Sequence, residues 1–97
     1  MGQRIDIEDS RVVDDSVIVT TNRTLTGADG EGFASSEEAS AGDTFGAGLA
    51  SDLFESDERV DRVYVASNVV TIRRNDGWDD SAVGSVSEVI SDFLLHY

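Results

Sequence analysis

The sequence predicts a single α+β domain of antiparallel strands and amphipathic helices. Three observations predict it. β-Branched runs stand at 16–21, 60–65 and 69–74, the last two joined by a tight link. Apolar residues recur at helical spacing from Phe45 and again from Val83. The chain has 97 residues, the size of one domain with one modest core.

Residues 3–8 alternate, with Ile5 and Ile7 on one side and Arg4, Asp6 and Glu8 on the other, as a half-buried strand does. Residues 9–15 are polar and turn-like, although Val12-Val13 could extend either neighbour. Residues 16–21, SVIVTT, read as a second strand antiparallel to the first. Residues 26–42 are rich in Gly, Ser, Ala and acids and read as a mobile surface loop pinned by Phe33, with room for a short strand around 32–35. Asp43 is the expected N-cap of the first helix, with Ser40 as a rival. Phe45, Leu49 and Leu53 form its stripe, and Ala50 and Phe54 widen it. Gly46 and Gly48 each cost about 1 kcal/mol inside a helix, which moves the expected start toward Ala47. In the hairpin at 60–74, Val63, Val65, Val70 and Ile72 are expected to point inward. Tyr64, Val69, Thr71 and Arg73 then lie on the opposite face. Asn68 is the link residue expected to take φ > 0. Asp79-Asp80-Ser81 supplies a second N-cap, Trp78 is expected to pack over the start of that helix, and Val83, Val86, Val89, Ile90, Phe93, Leu94 and Tyr97 make its apolar stripe.

Charge is the unusual feature. Twenty acids stand against seven basic residues, all arginine, for a net charge of −13. Disorder and an acidic docking face both account for such a balance. Acids spread over every segment, with lysine absent, favour a third account: a protein built for concentrated salt, with a composition that resembles proteins of halophilic archaea. An acidic chain lacks the basic face that phosphate contact needs, so no nucleic-acid partner is expected. No apolar run approaches the roughly 18 residues of a membrane span, and the N-terminus shows no apolar leader core. The expectation is a cytoplasmic protein without a membrane partner.

Chemistry-bearing motifs are absent. With no cysteine, disulfides, thiolate metal sites and thiol nucleophiles are excluded. His96 is the only histidine, so histidine-based triads and zinc motifs lack a second member. The Gly46-Ala47-Gly48 run has Ser51 where a dinucleotide fingerprint needs its third glycine. The Asp-Gly pairs at 29–30 and 76–77 put Leu25 or Ile72 at the first position of a calcium loop, where a carboxylate is required. Asp76, Asp79 and Asp80 are explained by capping and solubility. Arg59, Arg62, Arg73 and Arg74 are the densest positive spot, expected to offset Asp57, Glu58 and Asp61. No catalytic residue, metal ligand or cofactor site is assigned.

The stretch 49–78 carries a family resemblance. Leu49-Ala50 and Leu53-Phe54 fit a pattern P-L-A-x-x-L-F; Val60, Val63 and Tyr64 fit the strand after it. Asn68-Val69-Val70-Thr71-Ile72-Arg73-Arg74 fits D-F-I-T-V-T-K, and Trp78 fits a following tryptophan. With Asn22-Arg23, Phe33 and Glu37-Glu38-Ala39 upstream, nearly the whole chain resembles the N-terminal domain of NifU-like (Nfu-type) iron–sulfur cluster scaffold proteins, mostly at structural residues. Gly48 replaces a proline of that pattern, the connector 55–59 is one residue longer and lacks its glycine, and Ser81-Ala82-Val83 stands for L-K-P. The resemblance implies one domain over 1–97, an antiparallel sheet with two helices packed on one face, in the order β-β-α-β-β-α. It implies a non-enzymatic interaction module accessory to iron–sulfur cluster assembly. Its partner would be a cluster-carrying scaffold or a client apoprotein. It carries over no cluster site, because C-x-x-C is missing from this chain. The expected docking face is Tyr64, Val69 and Arg73, which combine an aromatic, an aliphatic and an arginine. The opposing reading is a small ligand- or cation-binding domain or enzyme that uses the loop 26–42 and a carboxylate pair.

Overall fold

The computed structural model describes residues 5–25 and 30–93. Five strands and three helices follow one another as β1 (Ile7–Val13), β2 (Ser16–Thr21), β3 (Glu31–Phe33), α1 (Ser36–Ala41), α2 (Phe45–Ser56), β4 (Val60–Ala66), β5 (Val69–Arg74) and α3 (Asp80–Asp92). The strands form one antiparallel sheet in the order β1-β2-β5-β4-β3. The α+β class is therefore as expected. The element list gains a fifth strand, β3, and a third helix, α1, giving β-β-β-α-α-β-β-α in place of β-β-α-β-β-α.

Residues 16–21 and the 60–74 hairpin form strands as expected, because β-branched side chains pack on a pleated, half-buried surface. Val17, Val19, Val63, Val65, Val70 and Ile72 are fully buried and face the helices. Leu49, Leu53, Val86 and Ile90 meet them from α2 and α3, also fully buried. Phe45, at the start of α2, packs edge-on against Phe93, with ring centroids 5.0 Å apart.

Several local expectations are corrected. The first strand shares only residues 7–8 with the expected 3–8: 3 and 4 lie outside the described residues, and Ile5 is buried before the strand begins, its N–H bonded to the Ser91 carbonyl of α3 at 2.9 Å. β1 instead runs through the segment expected to be a turn, and only Asp14-Asp15 turn, with Asp14 at φ 54°. A shift of register between Ile7 and Asp9 marks a bulge on this edge strand. β1 is wet on both faces, Val12 and Val13 being 47% and 45% exposed, so its sequence lacks the alternation that betrays a strand.

The N-cap of α2 is neither Asp43 nor Ser40 but Thr44, whose hydroxyl accepts from Ala47 N at 3.1 Å and donates to Glu31 at 2.6 Å. The helix starts at Phe45 with both glycines inside it. In the β4–β5 turn Ser67, not Asn68, takes positive φ, at 56°. Asn68 has a different task. Its carbonyl accepts from the Thr21 N–H at 2.8 Å and hydroxyl at 3.0 Å, and its side-chain amide donates to the Thr21 carbonyl at 2.9 Å. This ties the turn to the end of β2 and satisfies a fully buried threonine.

The segment 26–42, expected to be a mobile loop, holds β3 and α1 beyond residue 29. Ser35 caps α1 by accepting from Glu38 N at 3.1 Å, and Glu38 reaches back to Ala34 N at 2.6 Å. This reciprocal arrangement resembles a capping box shifted by one residue, and S-x-x-E at 35–38 was its signal. Asp79 caps α3 as expected, accepting from Ala82 N at 2.7 Å. The α3 stripe holds through Val83, Val86, Val89, Ile90 and Phe93, while Leu94 and Tyr97 lie outside the described residues.

Candidate functional site

The helices cover one face of the sheet. Among the described residues nothing buries the other face, where every strand position is half-buried or exposed. Antiparallel partners share a face, so the register lays the open face out as rows. One row is Val13, Ser16, Arg73 and Arg62. The next is Arg11, Ile18, Thr71, Tyr64 and Gly32. The third is Asp9, Thr20, Val69 and Ala66.

Tyr64, Val69 and Arg73 therefore come together on this face as expected, with Tyr64 diagonal to both. Tyr64 is 43% exposed. Its ring lies over the glycines of the β3 edge: a Cβ built on Gly30 would stand 2.6 Å from the Tyr64 hydroxyl, and one on Gly32 would stand 3.2 Å from the ring. Gly30 also has φ +73°. Side chains there would lift the ring off the sheet, so the glycines set its pose. Val69 is half-buried between Thr20 and Ala66. Arg73 has its side chain 54% exposed, with its Nε 3.8 Å from Asp61.

The register adds residues that sequence reading left out: Ile18, Arg11 and Arg62. Arg62 stands directly opposite Arg73. Like charges in that position repel, and the bulge at Asp61 brings one carboxylate to the pair, at 3.8 Å from Arg73. Neither Arg11 nor Arg62 has an ion-pair partner among the described residues. The arginine cluster thus divides. Arg59 pairs with Asp76 at 3.3 Å, Arg74 with Asp57 and Arg73, more loosely, with Asp61, while Arg62 is exposed with no such partner among the described residues.

Arg74 faces the helices and is a fixture of the core. Its Nε donates to Asp57 Oδ2 at 2.7 Å, its Nη1 donates to the Gly77 carbonyl at 2.7 Å, and its guanidinium lies 5.8 Å from the centre of the Trp78 ring. The Asp15 carbonyl accepts from both Arg74 N, at 2.9 Å, and the Trp78 indole, at 2.8 Å. Burial at the end of α2 opposes ionisation of Asp57. The Arg74 hydrogen bond, the Arg59 backbone N–H and the two positive charges outweigh it and hold the carboxyl below its ordinary value. The Asp57 hydrogen bond in turn raises the Arg74 pKa.

On the helical side, a groove of about 360 Å³ runs between α2 and α3. Asp52, Glu55, Glu88 and Asp92 line it over Val89 and Phe93. Among the described residues no group of three or more His, Asp or Glu side chains is placed to hold a metal ion. His96 lies outside them. No described helix is long and apolar enough to cross a membrane.

No protein-family model matches the chain, and no curated protein matches it. Among solved structures it is similar to the X-ray crystal structure of protein SAV1430 from Staphylococcus aureus. The TM-score is 0.65 over 87% of this chain and 96% of that one, at 10% sequence identity. At that identity the two share a fold, and the likeness speaks for the fold alone.

Proposed function

We propose that this domain is a non-catalytic docking module that engages a protein partner through the open face of its sheet. The observation that carries this reading is the composition of that face. An aromatic, aliphatic residues and arginines sit together there, with Asp9 only at the β1 edge of the last row, in a chain whose excess charge is −13. Interface cores are enriched in aromatic residues and arginine, and depleted of carboxylates. The resemblance of 49–78 to the N-terminal domain of NifU-like scaffolds supports an accessory role in iron–sulfur cluster assembly. The partner is then a separate cluster-carrying protein or a client apoprotein. Clusters are held chiefly by thiolates, which this chain lacks, so docking is the role left to it. The composition supports a setting of concentrated salt and a cytoplasmic location.

The test is binding at about 1 M KCl to a cluster-bearing C-x-x-C domain. The expected outcome is a complex with the wild-type chain and at least tenfold weaker binding by the Tyr64→Ala/Arg73→Ala double variant, with its unfolding midpoint retained. A folded double variant that binds as tightly as wild type places docking elsewhere. The groove between α2 and α3 favours the second reading, as a small-ligand site. A small-molecule fragment titration that perturbs Val89 and Phe93, with the sheet face silent, would support it.

A further inference from the structure

Resting on the docking reading, we infer that the partner element is a short acidic segment whose carboxylates are gripped by Arg62 and Arg73 and, across Ile18, by Arg11. Three observations carry the assignment. First, the chain has acids to spare, yet Arg11 and Arg62 take none of them among the described residues. Second, Arg62 and Arg73 face each other across β4 and β5, and Asp61 meets only Arg73, at 3.8 Å, so the repulsion is relieved further when a carboxylate enters at Arg62. Third, the floor between the two positive points is apolar or neutral: Ile18, Thr71 and Val69, with Tyr64 as a wall on its glycine bed.

The spacing defines the ligand. Arg11 and Arg73 are separated by two strand spacings and one two-residue step, about 12 Å at the backbone. An extended segment places its first and fifth residues about 13 Å apart and points both to the same side. The segment that fits therefore carries carboxylates four residues apart with an apolar residue midway. Each guanidinium offers a planar fork that matches a carboxylate, which a neutral amide cannot replace.

Extended polyanions fit less well. A duplex, a single strand or an anionic bilayer meets the acids around the rim as well as the arginines, and the net charge repels it at long range. A few carboxylates at contact distance are much less affected, and salt that screens the rim leaves short bidentate pairs in place. Self-pairing through the same face sets each arginine cluster against its copy and is disfavoured for the same reason.

The experiment titrates the full ¹⁵N-labelled chain at about 1 M KCl. The probe is a synthetic peptide with two aspartates four residues apart around a central leucine. Its control has asparagine for aspartate, and oligothymidylate and phosphatidylglycerol vesicles serve as further arms. The expected result is saturable movement of the amides of Arg11, Ile18, Arg62, Tyr64 and Arg73 with the acidic peptide, and at least tenfold weaker binding of the asparagine peptide. Arg62→Gln should reduce affinity about tenfold with an unfolding midpoint equal to wild type or higher, because it removes a repulsion. Arg59→Gln should leave affinity unchanged. Equal affinity for the two peptides overturns the carboxylate assignment while sparing the docking face. No movement of the face residues with the acidic peptide, or stronger binding of the oligonucleotide or the vesicles, overturns it outright. Failure of the acidic peptide alongside binding of the C-x-x-C domain rejects this assignment alone, and failure of both rejects the docking reading as well.

Discussion

Asp57 closes α2, accepts from Arg59 N at 2.9 Å and anchors Arg74, so one carboxylate joins a helix end, a connector and a strand. A carboxyl held below its ordinary pKa contributes stability that is present above about pH 3.9 and is lost as pH falls through its folded value. Urea unfolding at high salt between pH 5 and about 2.5 should show wild type losing stability faster than Asp57→Asn. Parallel curves would deny the pair this role. The sequence pointed to Asp57 as one of the acids that the four arginines offset, and the structure gives it to the buried Arg74. The period of two is what made Tyr64, Val69 and Arg73 readable as one face. Ile18 and Arg11 joined them only through the register of β2 with β5, a tertiary fact.

Among the elements, those with one dry face were legible and those without were not. α2 and α3 lay open to reading because their stripes meet the same core, with Leu49, Leu53, Val86 and Ile90 at zero exposure. Leu53→Ala should therefore cost about 2–5 kcal/mol in chemical unfolding. Ser51→Ala should cost under about 1 kcal/mol, since the half-buried Ser51 hydroxyl meets only that of Ser40, at 3.3 Å. Comparable losses would mean the phase of α2 is wrong. α1 escaped because it is short and buries only Ala39. Its cap, rather than any periodicity, marked it. β1 escaped because an overhanging edge strand has no dry side to pattern.

For the whole molecule, the helical layer carries acids without basic residues to balance them. The helical layer displays Glu37, Glu38, Asp52, Glu55, Asp80 and Glu88, while the open face of the sheet mixes Arg11, Arg62 and Arg73 with Asp9 and Asp61. Thirteen excess negative charges on a domain with a Cα radius of gyration of 11.9 Å repel one another strongly in dilute buffer. The thermal midpoint should climb between about 0.1 and 1 M KCl, as the Debye length falls from roughly 10 to 3 Å. A flat response would show that the charges are already balanced within the fold.

The seam between β2 and β5 bears on how fast the molecule assembles. β1–β2 and β4–β5 are local hairpins that close short loops, but Val19 pairs with Val70 from far along the chain. Joining the hairpins means restricting everything between them before that pairing returns any free energy. The seam is thus the natural barrier to folding. Val19→Ala and Val70→Ala should chiefly slow refolding in stopped-flow chevrons, while Val86→Ala in α3 should chiefly speed unfolding. The two hairpins would then behave as preformed halves waiting for a single slow encounter.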